Sequence, residues 1–265
     1  MNYLGQDWSV HYYAGTKQND PATLYQSISN FETLLRRLDT LVTEYPPKVR
    51  DFPVWYRFPP RQGPIGLSVD EWGIWESGGK GTYNWETIYG WRHALATASF
   101  LNVFMRNAGV VGIATWSQSV NVLGCIMTDK EGSVCQTVYY PLQYYREYCS
   151  RRGVEVQTET PAMHTSDGMA ALDAAGSYDE ERNTLTLFVV NRDPETAFRT
   201  NIALSAKQVK QTDVIELTGD SLEAANTLEN RNHNVVRTNR EQNVTPKQEI
   251  TFRPGSITLC VFHLQ

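Results

Sequence analysis

Leu24, Ile28, Phe31, Leu35, Leu38 and Leu41 recur at steps of three or four, a spacing that predicts an amphipathic helix with one buried stripe. Asp20 stands where a cap would accept backbone N–H groups, and Pro21 suits the first turn. Pro46-Pro47 are expected to stop the helix. A second series, Ile88, Trp91, Leu95, Ala98, Leu101 and Met105, predicts another helix up to Gly109. Around them lie short apolar runs without that period. "WSVHYY" (8–13) and "PIGLSVD" (64–70) read as strands, a Gly-rich loop "ESGGKGTYN" follows the second, and "VVGIATW" (110–116) reads as a buried strand. The order β-α-β-α-β implies parallel strands, right-handed crossovers and helices packed outside the sheet.

Helical spacing disappears near residue 155. "GMAALDAAGSYDEERNTLTLFVVNRD" reads as strand, polar turn, strand, and "QEITFRPGSITLCVFHL" as a hairpin about Pro254-Gly255. Short strands and frequent turn signals over about a hundred residues predict an antiparallel β-sandwich. "QTVYYPLQYYREYCSRR" is expected to be a last helix that docks the sandwich on the α/β part. The division predicted is residues 1–152 and 153–265, with no internal repeat or low-complexity tract.

Composition narrows the function classes. A chain of 265 residues, 41% hydrophobic and 20% charged, can bury a large core or two smaller ones. Twenty-four basic against twenty-nine acidic residues, with a formal charge of −5, argue against a nucleic acid or an anionic membrane as partner. The start "MNYLGQDWSVHYYAG" lacks a basic segment followed by an apolar one, and there is no apolar run of about eighteen residues; a cytoplasmic protein is expected. Cys125, Cys135, Cys149 and Cys260 are far apart with no CxxC, and are expected to be reduced thiols. They signal neither a zinc site nor a disulfide scaffold. No metal or cofactor is called for. The sequon Asn243-Val244-Thr245 matters only in a secreted chain.

Each predicted parallel strand ends in polar chemistry, where α/β folds carry their reactive groups. His11 and Tyr13 close the first, Asp70 and Glu71 the second, and Gln118 and Asn121 follow the third. Plainer readings exist for each. A lone strand histidine is more often a hydrogen-bonded core residue, and Asp70-Glu71 could be a solvated strand end. Trp72 and Trp75 could form a shallow platform for the C–H face of a sugar, or could pack in the core. Ile65, Leu67, Val69 and Glu71 share one parity, so alternation makes Glu71 continue an apolar face. A partly desolvated carboxylate at such a rim suits attack on an anomeric carbon.

"SVHYYAG", "GLSVDEWGIW" and "ATWSQSVNVLGCIMTDKEGSVCQTVYYPLQ" resemble, in that order, segments of α-L-arabinofuranosidases of glycoside hydrolase family 51, and the resemblance runs from about residue 8 to the C-terminus. It implies a partial (β/α)8 barrel of about three βα units followed by an antiparallel β-sandwich. The activity implied is removal of terminal L-arabinofuranosyl groups from plant-wall arabinan, arabinoxylan or their oligosaccharides with retention of configuration. By the same resemblance Glu71 matches the catalytic nucleophile, His11 and Tyr13 match residues beside it, and Gln118 matches a substrate-binding side chain. Trp75 is the further substrate-binding candidate, at the indole-shaped rim.

A full member of that family begins with five more βα units that carry the acid/base glutamate in an Asn-Glu pair, and residues 1–150 contain no such pair. Retention needs two carboxyl groups about 5 to 5.5 Å apart, of which this chain is expected to supply one. Glu76 and Glu86 read better as solvated or dipole-complementing side chains. The expectation is a C-terminal portion, incomplete alone, that associates with a missing N-terminal half or forms a homo-oligomer. A differently built intact glycosidase, or a non-catalytic carbohydrate-binding or structural fragment, stands as the alternative.

Overall fold

The computed structural model describes residues 7–16, 20–49, 65–76, 85–163, 168–205, 208–244 and 249–265. Most of the Gly-rich loop and Thr245 of the sequon lie outside them. The chain runs through β1 (Asp7–Ala14), α1 (Pro21–Val49), β2 (Gly66–Ile74), α2 (Trp91–Arg106) and β3 (Val111–Trp116). A short pair, β4 (Ile126–Asp129) and β5 (Gly132–Cys135), then leads to α3 (Tyr139–Tyr148). The remainder is β6 (Arg152–Val154), β7 (Leu172–Asp179), β8 (Thr184–Asn191), β9 (Phe198–Asn201), β10 (Val209–Gly219), β11 (Val236–Val244), β12 (Glu249–Phe252) and β13 (Ser256–Leu264).

β1, β2 and β3 form a three-stranded parallel sheet in that order. Asp20 caps α1 as its position anticipates, Oδ1 accepting from Ala22 N at 2.9 Å, and Leu24, Ile28, Phe31 and Leu35 are buried along one stripe. Pro46-Pro47 do not stop α1, which runs to Val49. Proline removes an N–H donor, but its fixed φ is compatible with helix, so the backbone completes another partial turn. Ile88 lies outside α2 and is exposed. β3 is an edge strand rather than a buried one, and Ile113 is 52% exposed. Among the described residues, helices cover one face of this sheet, and on the other His11, Ile113 and Thr115 are exposed.

The predicted sandwich is a six-stranded antiparallel sheet, ordered β11-β10-β13-β8-β7-β6, with β12-β9 as a two-stranded second layer. Period-two alternation serves both faces. Leu187 and Val189 of β8 with Cys260 and Phe262 of β13 face the small layer, whereas Phe188, Val190, Ile257 and Leu259 join the core around α2 and α3. The runs "LFVV" and "ITLCVF" are apolar apart from Thr258 because both sides are buried. β7 and β8 pair as the polar turn suggested. The hairpin about Pro254-Gly255 does not form: β12 pairs with β9, and β13 with β8 and β10. The chain crosses between layers there, with Gly255 at φ 54°. Asn191 Nδ2 holds the crossing by donating to Phe252 O and Arg253 O at 3.2 and 2.8 Å.

α2 is buried almost all round because it lies between the parallel sheet and the six-stranded one. Two of its N-terminal N–H groups, which the helix cannot satisfy itself, donate across that junction. Trp91 N reaches Ala224 O at 3.0 Å and Arg92 N reaches Leu222 O at 2.8 Å. The Trp91 indole donates to Gly255 O at 2.7 Å, and a Cβ at Gly219 would meet its ring at 2.4 Å. α3 seals the same junction as the sequence suggested, with Tyr145 donating to Asn102 Oδ1 at 2.8 Å and its ring 4.3 Å from that of Phe188. Buried Asp173 accepts from Asn102 and Arg106, both at 2.9 Å, and lies 3.2 Å from Arg192. A desolvated carboxylate thus has charged partners from α2 and from the residue after β8.

Candidate active site

Leu67 and Val69 of β2 are buried against the helices, and so are Trp72 and Ile74. The odd positions point inward before residue 70 and the even ones after it. The pairing shows why. From Ser68 to Glu71 β2 advances three residues while β1 advances two, from Ser9 to His11; from Val69 to Trp72 it advances three while β3 goes from Ala114 to Trp116. One extra residue is inserted against both neighbours, a β-bulge that re-aims side chains. Strict alternation would have made Glu71 continue the face of Leu67 and Val69. The bulge corrects that expectation and turns Glu71 to the open face of the sheet.

There Glu71 stands opposite His11 in register. His11 Nδ1 lies 3.3 Å from Glu71 Oε2, and His11 Nε2 lies 3.6 Å from Asp70 Oδ1. Tyr13, two residues further along β1, donates its hydroxyl to Glu71 Oε2 at 3.1 Å. The Glu71 and His11 side chains are 43% and 50% exposed, so water competes for these contacts. Burial pushes the Tyr13 phenol above its usual value and the Glu71 carboxylate adds to the rise, while a hydrogen bond with Ser117 opposes it. Tyr13 therefore stays a donor through the neutral range. Asp70 accepts from Ser9 Oγ at 2.8 Å, and that hydrogen bond holds its carboxyl below the usual range.

The two tryptophans of the DEW segment separate. Trp72, 1% exposed, packs against Phe100, Phe104 and Trp116 with ring centroids 4.9 to 5.3 Å away. It is core, not platform. Trp75 remains at the rim, edge-on to Tyr13 at 5.6 Å and beside Trp85 at 4.7 Å. Gln118 is exposed and follows β3 by two residues, at the same end of the sheet. Ser117 N donates to Trp72 O at 3.0 Å, and a Cβ at Gly73 would lie 3.4 Å from Ser117 O, so this segment runs alongside the end of β2.

Glu76 overturns its reading as a solvated side chain. It is 15% exposed, accepts from Thr16 Oγ1 at 3.0 Å and Arg92 Nη2 at 3.0 Å, and lies 3.2 Å from His93 Nε2. Burial alone would raise its pKa. The hydrogen bond and charge of His93, the charge of Arg92 and the Thr16 hydroxyl outweigh burial and hold it at about 2. Arg92 Nη1 also donates to both carboxylate oxygens of Glu223 of the sandwich, at 2.7 and 2.9 Å. The ends of β1 and β2 and the start of α2 are thereby joined through Glu76, and Arg92 carries the link on to the sandwich. Sequence reasoning missed this network because its members are scattered at 16, 76, 92–93 and 223. Glu86 is exposed. Among the described residues no group of three or more His, Cys, Asp or Glu side chains is arranged to hold a metal ion.

Residues 70–256 match the family model described as the α-L-arabinofuranosidase C-terminal domain. A protein of Aspergillus niger named a probable α-L-arabinofuranosidase C is 31% identical over 209 residues, covering 73% of this chain and 40% of that protein. One from Bacillus subtilis, named an intracellular exo-α-(1→5)-L-arabinofuranosidase, is 34% identical over 153 residues, covering 53% and 30%. Among solved structures, an α-L-arabinofuranosidase from Thermotoga maritima in complex with arabinose superposes on 97% of this chain with a TM-score of 0.77 at 24% identity. A family 51 arabinofuranosidase from Xanthomonas axonopodis pv. citri does so with a TM-score of 0.79 at 18%. At those identities the likeness shows a shared fold. This chain spans 52% of each of the two solved chains.

Proposed function

Because the chain belongs to the α-L-arabinofuranosidase C-terminal domain family, we propose that it is the C-terminal portion of a retaining α-L-arabinofuranosidase. Residues 1–152 are three βα units of a (β/α)8 barrel and residues 153–265 its sandwich. The substrates are terminal L-arabinofuranosyl groups of arabinan, arabinoxylan or their oligosaccharides. Three parallel strands with helices on one face and a solvent-facing opposite face that carries His11, Glu71 and Thr115 support the barrel reading. The intracellular names of bacterial relatives support a cytoplasmic location.

One observation carries the assignment of roles: the bulge in β2 that brings Glu71 to His11 and Tyr13 on the open face. Glu71 is the nucleophile. Its Oε2 is held by Tyr13 and flanked by His11, leaving the other oxygen to attack the anomeric carbon. Tyr13 steadies the carboxylate before attack and when it leaves the glycosyl-enzyme. Trp75 shapes the rim and Gln118 binds a sugar hydroxyl. Leaving-group protonation requires a second carboxyl group that spends part of its cycle protonated near neutral pH. Glu76 cannot serve, since it is held ionised down to about pH 2. The acid comes from polypeptide that completes the barrel along the edges of β1 and β3, which pair with no further strand among the described residues.

The test is complementation. The chain is mixed or co-expressed with the N-terminal half of the Bacillus subtilis relative, and hydrolysis of p-nitrophenyl α-L-arabinofuranoside is followed. The chain alone should show no more than trace turnover, because general acid catalysis contributes roughly 10²–10⁴-fold. The combination should turn over and, with a 2-fluoro-arabinofuranosyl inactivator, carry the label on Glu71 in a peptide map. Ordinary enzymatic rates from the isolated chain that survive Glu71→Ala would end this reading.

A further inference from the structure

One face of the six-stranded sheet changes character at the same level on three adjacent strands. β8 presents Val190 and Phe188, then Thr186 and Thr184. β13 presents Ile257 and Leu259, then Val261 and His263, and β10 presents Leu217 and Ile215, then Asp213. The first pair on each strand lies in the core around α2 and α3. α3 ends at Tyr148, and past it the same face floors a cleft of about 1030 Å³. Small-molecule pockets span about 300–1,000 Å³, so this one has room for an extended ligand.

The cleft is walled by segments fixed in place. The end of α3 and the residues after it cross the sheet: Tyr148 OH accepts from Arg240 Nη1 of β11 at 3.3 Å, and Ser150 N donates to Ser177 Oγ of β7 at 3.0 Å. In the β7–β8 turn Asp179 Oδ1 accepts from Glu181 N and Arg182 N at 3.0 Å, and Tyr178 donates to Asn183 Oδ1 at 2.8 Å. Arg152 pairs with Glu180, which joins the two walls. Walls ordered in advance lower the entropy cost of binding. A Cβ at Gly153, next to Arg152, would lie 3.4 Å from Met105 O at the C-terminal end of α2, whereas Arg92 at the N-terminal end holds Glu76. α2 has 16 residues, about 24 Å of helix, so the cleft is a helix length away from the candidate active site.

The lining carries four arginines against five carboxylates, so neither sign of charge dominates. An ionic ligand would meet repulsion as well as attraction. The floor instead offers hydrogen bonds of both kinds, as hydroxyl groups require. Thr184 supplies a hydroxyl and exposed Gln242 an amide. His263 Nε2 lies 2.9 Å from Asp213 Oδ2, which leaves Nδ1 for a ligand. Tyr148 and Tyr178 add half-buried rings, whose faces suit C–H groups. We propose that this cleft binds a neutral oligosaccharide, as a carbohydrate site of the sandwich separate from the candidate active site. The proposal goes beyond the assignment of Glu71 and does not depend on it.

The experiment uses the chain as it is. Hydrogen-exchange mass spectrometry is run with α-1,5-arabinopentaose, xylopentaose and cellopentaose, and calorimetry gives the affinities. At least one pentaose should slow exchange in residues 146–152 and 178–186, and the tightest of the three identifies the sugar. Gln242→Ala, at an exposed position of β11, and His263→Ala should each weaken that ligand about fivefold, the size of one hydrogen bond. Added salt should change the affinity little. Trp75→Ala, in the candidate active site, should leave protection of the cleft intact. The proposal is overturned if no pentaose protects these residues, if neither cleft variant weakens binding, or if protection disappears with Trp75→Ala. Tighter binding of an oligogalacturonate, lost in salt, would also overturn it by making the cleft an anion site. The Glu71 assignment is judged separately, by labelling in the complemented enzyme.

Discussion

The Tyr13 hydroxyl donates to Glu71 Oε2 at 3.1 Å across two adjacent parallel strands, and the bulge in β2 makes that reach possible. Tyr13→Phe removes the donor and keeps the ring against Trp75. Hydrogen bonds to charged groups are worth roughly 1.5–3 kcal/mol. Glu71 is more than a third exposed, which discounts this to about 1 kcal/mol, or roughly fivefold in kcat. Steady-state kinetics of the complemented enzyme should show that loss with Tm unchanged; an unaltered kcat would remove Tyr13 from the site.

Glu71→Ala in the complemented enzyme should lower kcat by several orders of magnitude, as removal of a covalent nucleophile does. Azide should then restore turnover and give the glycosyl azide of inverted configuration, because the anion attacks from the vacated side. Product analysis by NMR decides the configuration. A retained product, or no rescue, would place the nucleophile elsewhere.

Glu76 predicts an acid limb of stability. Its folded pKa is depressed from 4.5 to about 2, so the folded state binds fewer protons than the unfolded one between those values. Its stabilisation is complete above pH 4.5 and is lost as pH falls toward 2. The full shift corresponds to a few kcal/mol, as an upper order-of-magnitude figure. Chemical denaturation between pH 6 and 3 should show a shallower decline for Glu76→Gln than for the unmodified chain. Parallel curves would mean that another carboxylate controls the limb.

Two neighbouring indoles should behave differently. Trp72→Ala empties a site surrounded by Phe100, Phe104 and Trp116 and should cost about 3–5 kcal/mol. Trp75→Ala, at the rim, should cost about 1 kcal/mol or less in urea titrations and weaken arabinose binding instead. Equal destabilisation by both would contradict their separate placement.

A chain ending at residue 152 should fail to fold, even though it contains the whole parallel sheet. It would strip α2 of the carbonyls of Leu222 and Ala224, of the Gly255 acceptor for Trp91, and of one buried side. Near-UV circular dichroism should show no fixed tertiary signal. A cooperative melt of that truncation would make the two parts independent folding units. The intact chain should melt in one transition.

The sequence by itself determined what local rules govern. α1 follows from apolar spacing and the Asp20 cap, and the parallel order follows from alternation of strand and helix. Glu71, His11, Tyr13 and Gln118 gather at one end because parallel strands share a direction. The family resemblance was legible because its motifs are contiguous. What only tertiary structure decided is register and partnership. The bulge that turns Glu71 to the open face depends on both neighbouring strands, so no parity argument within β2 could find it. Trp72 and Trp75 are alike in sequence, and the same bulge sends one into the core and leaves the other at the rim. Pro254-Gly255 looked like a hairpin because a turn signal reports a reversal and not which strand will be met beyond it. Glu76 looked solvated because its partners are distant in sequence. Periodicity reads the chain along its own axis, whereas hydrogen-bond register and ion pairing are set between segments that only packing brings together.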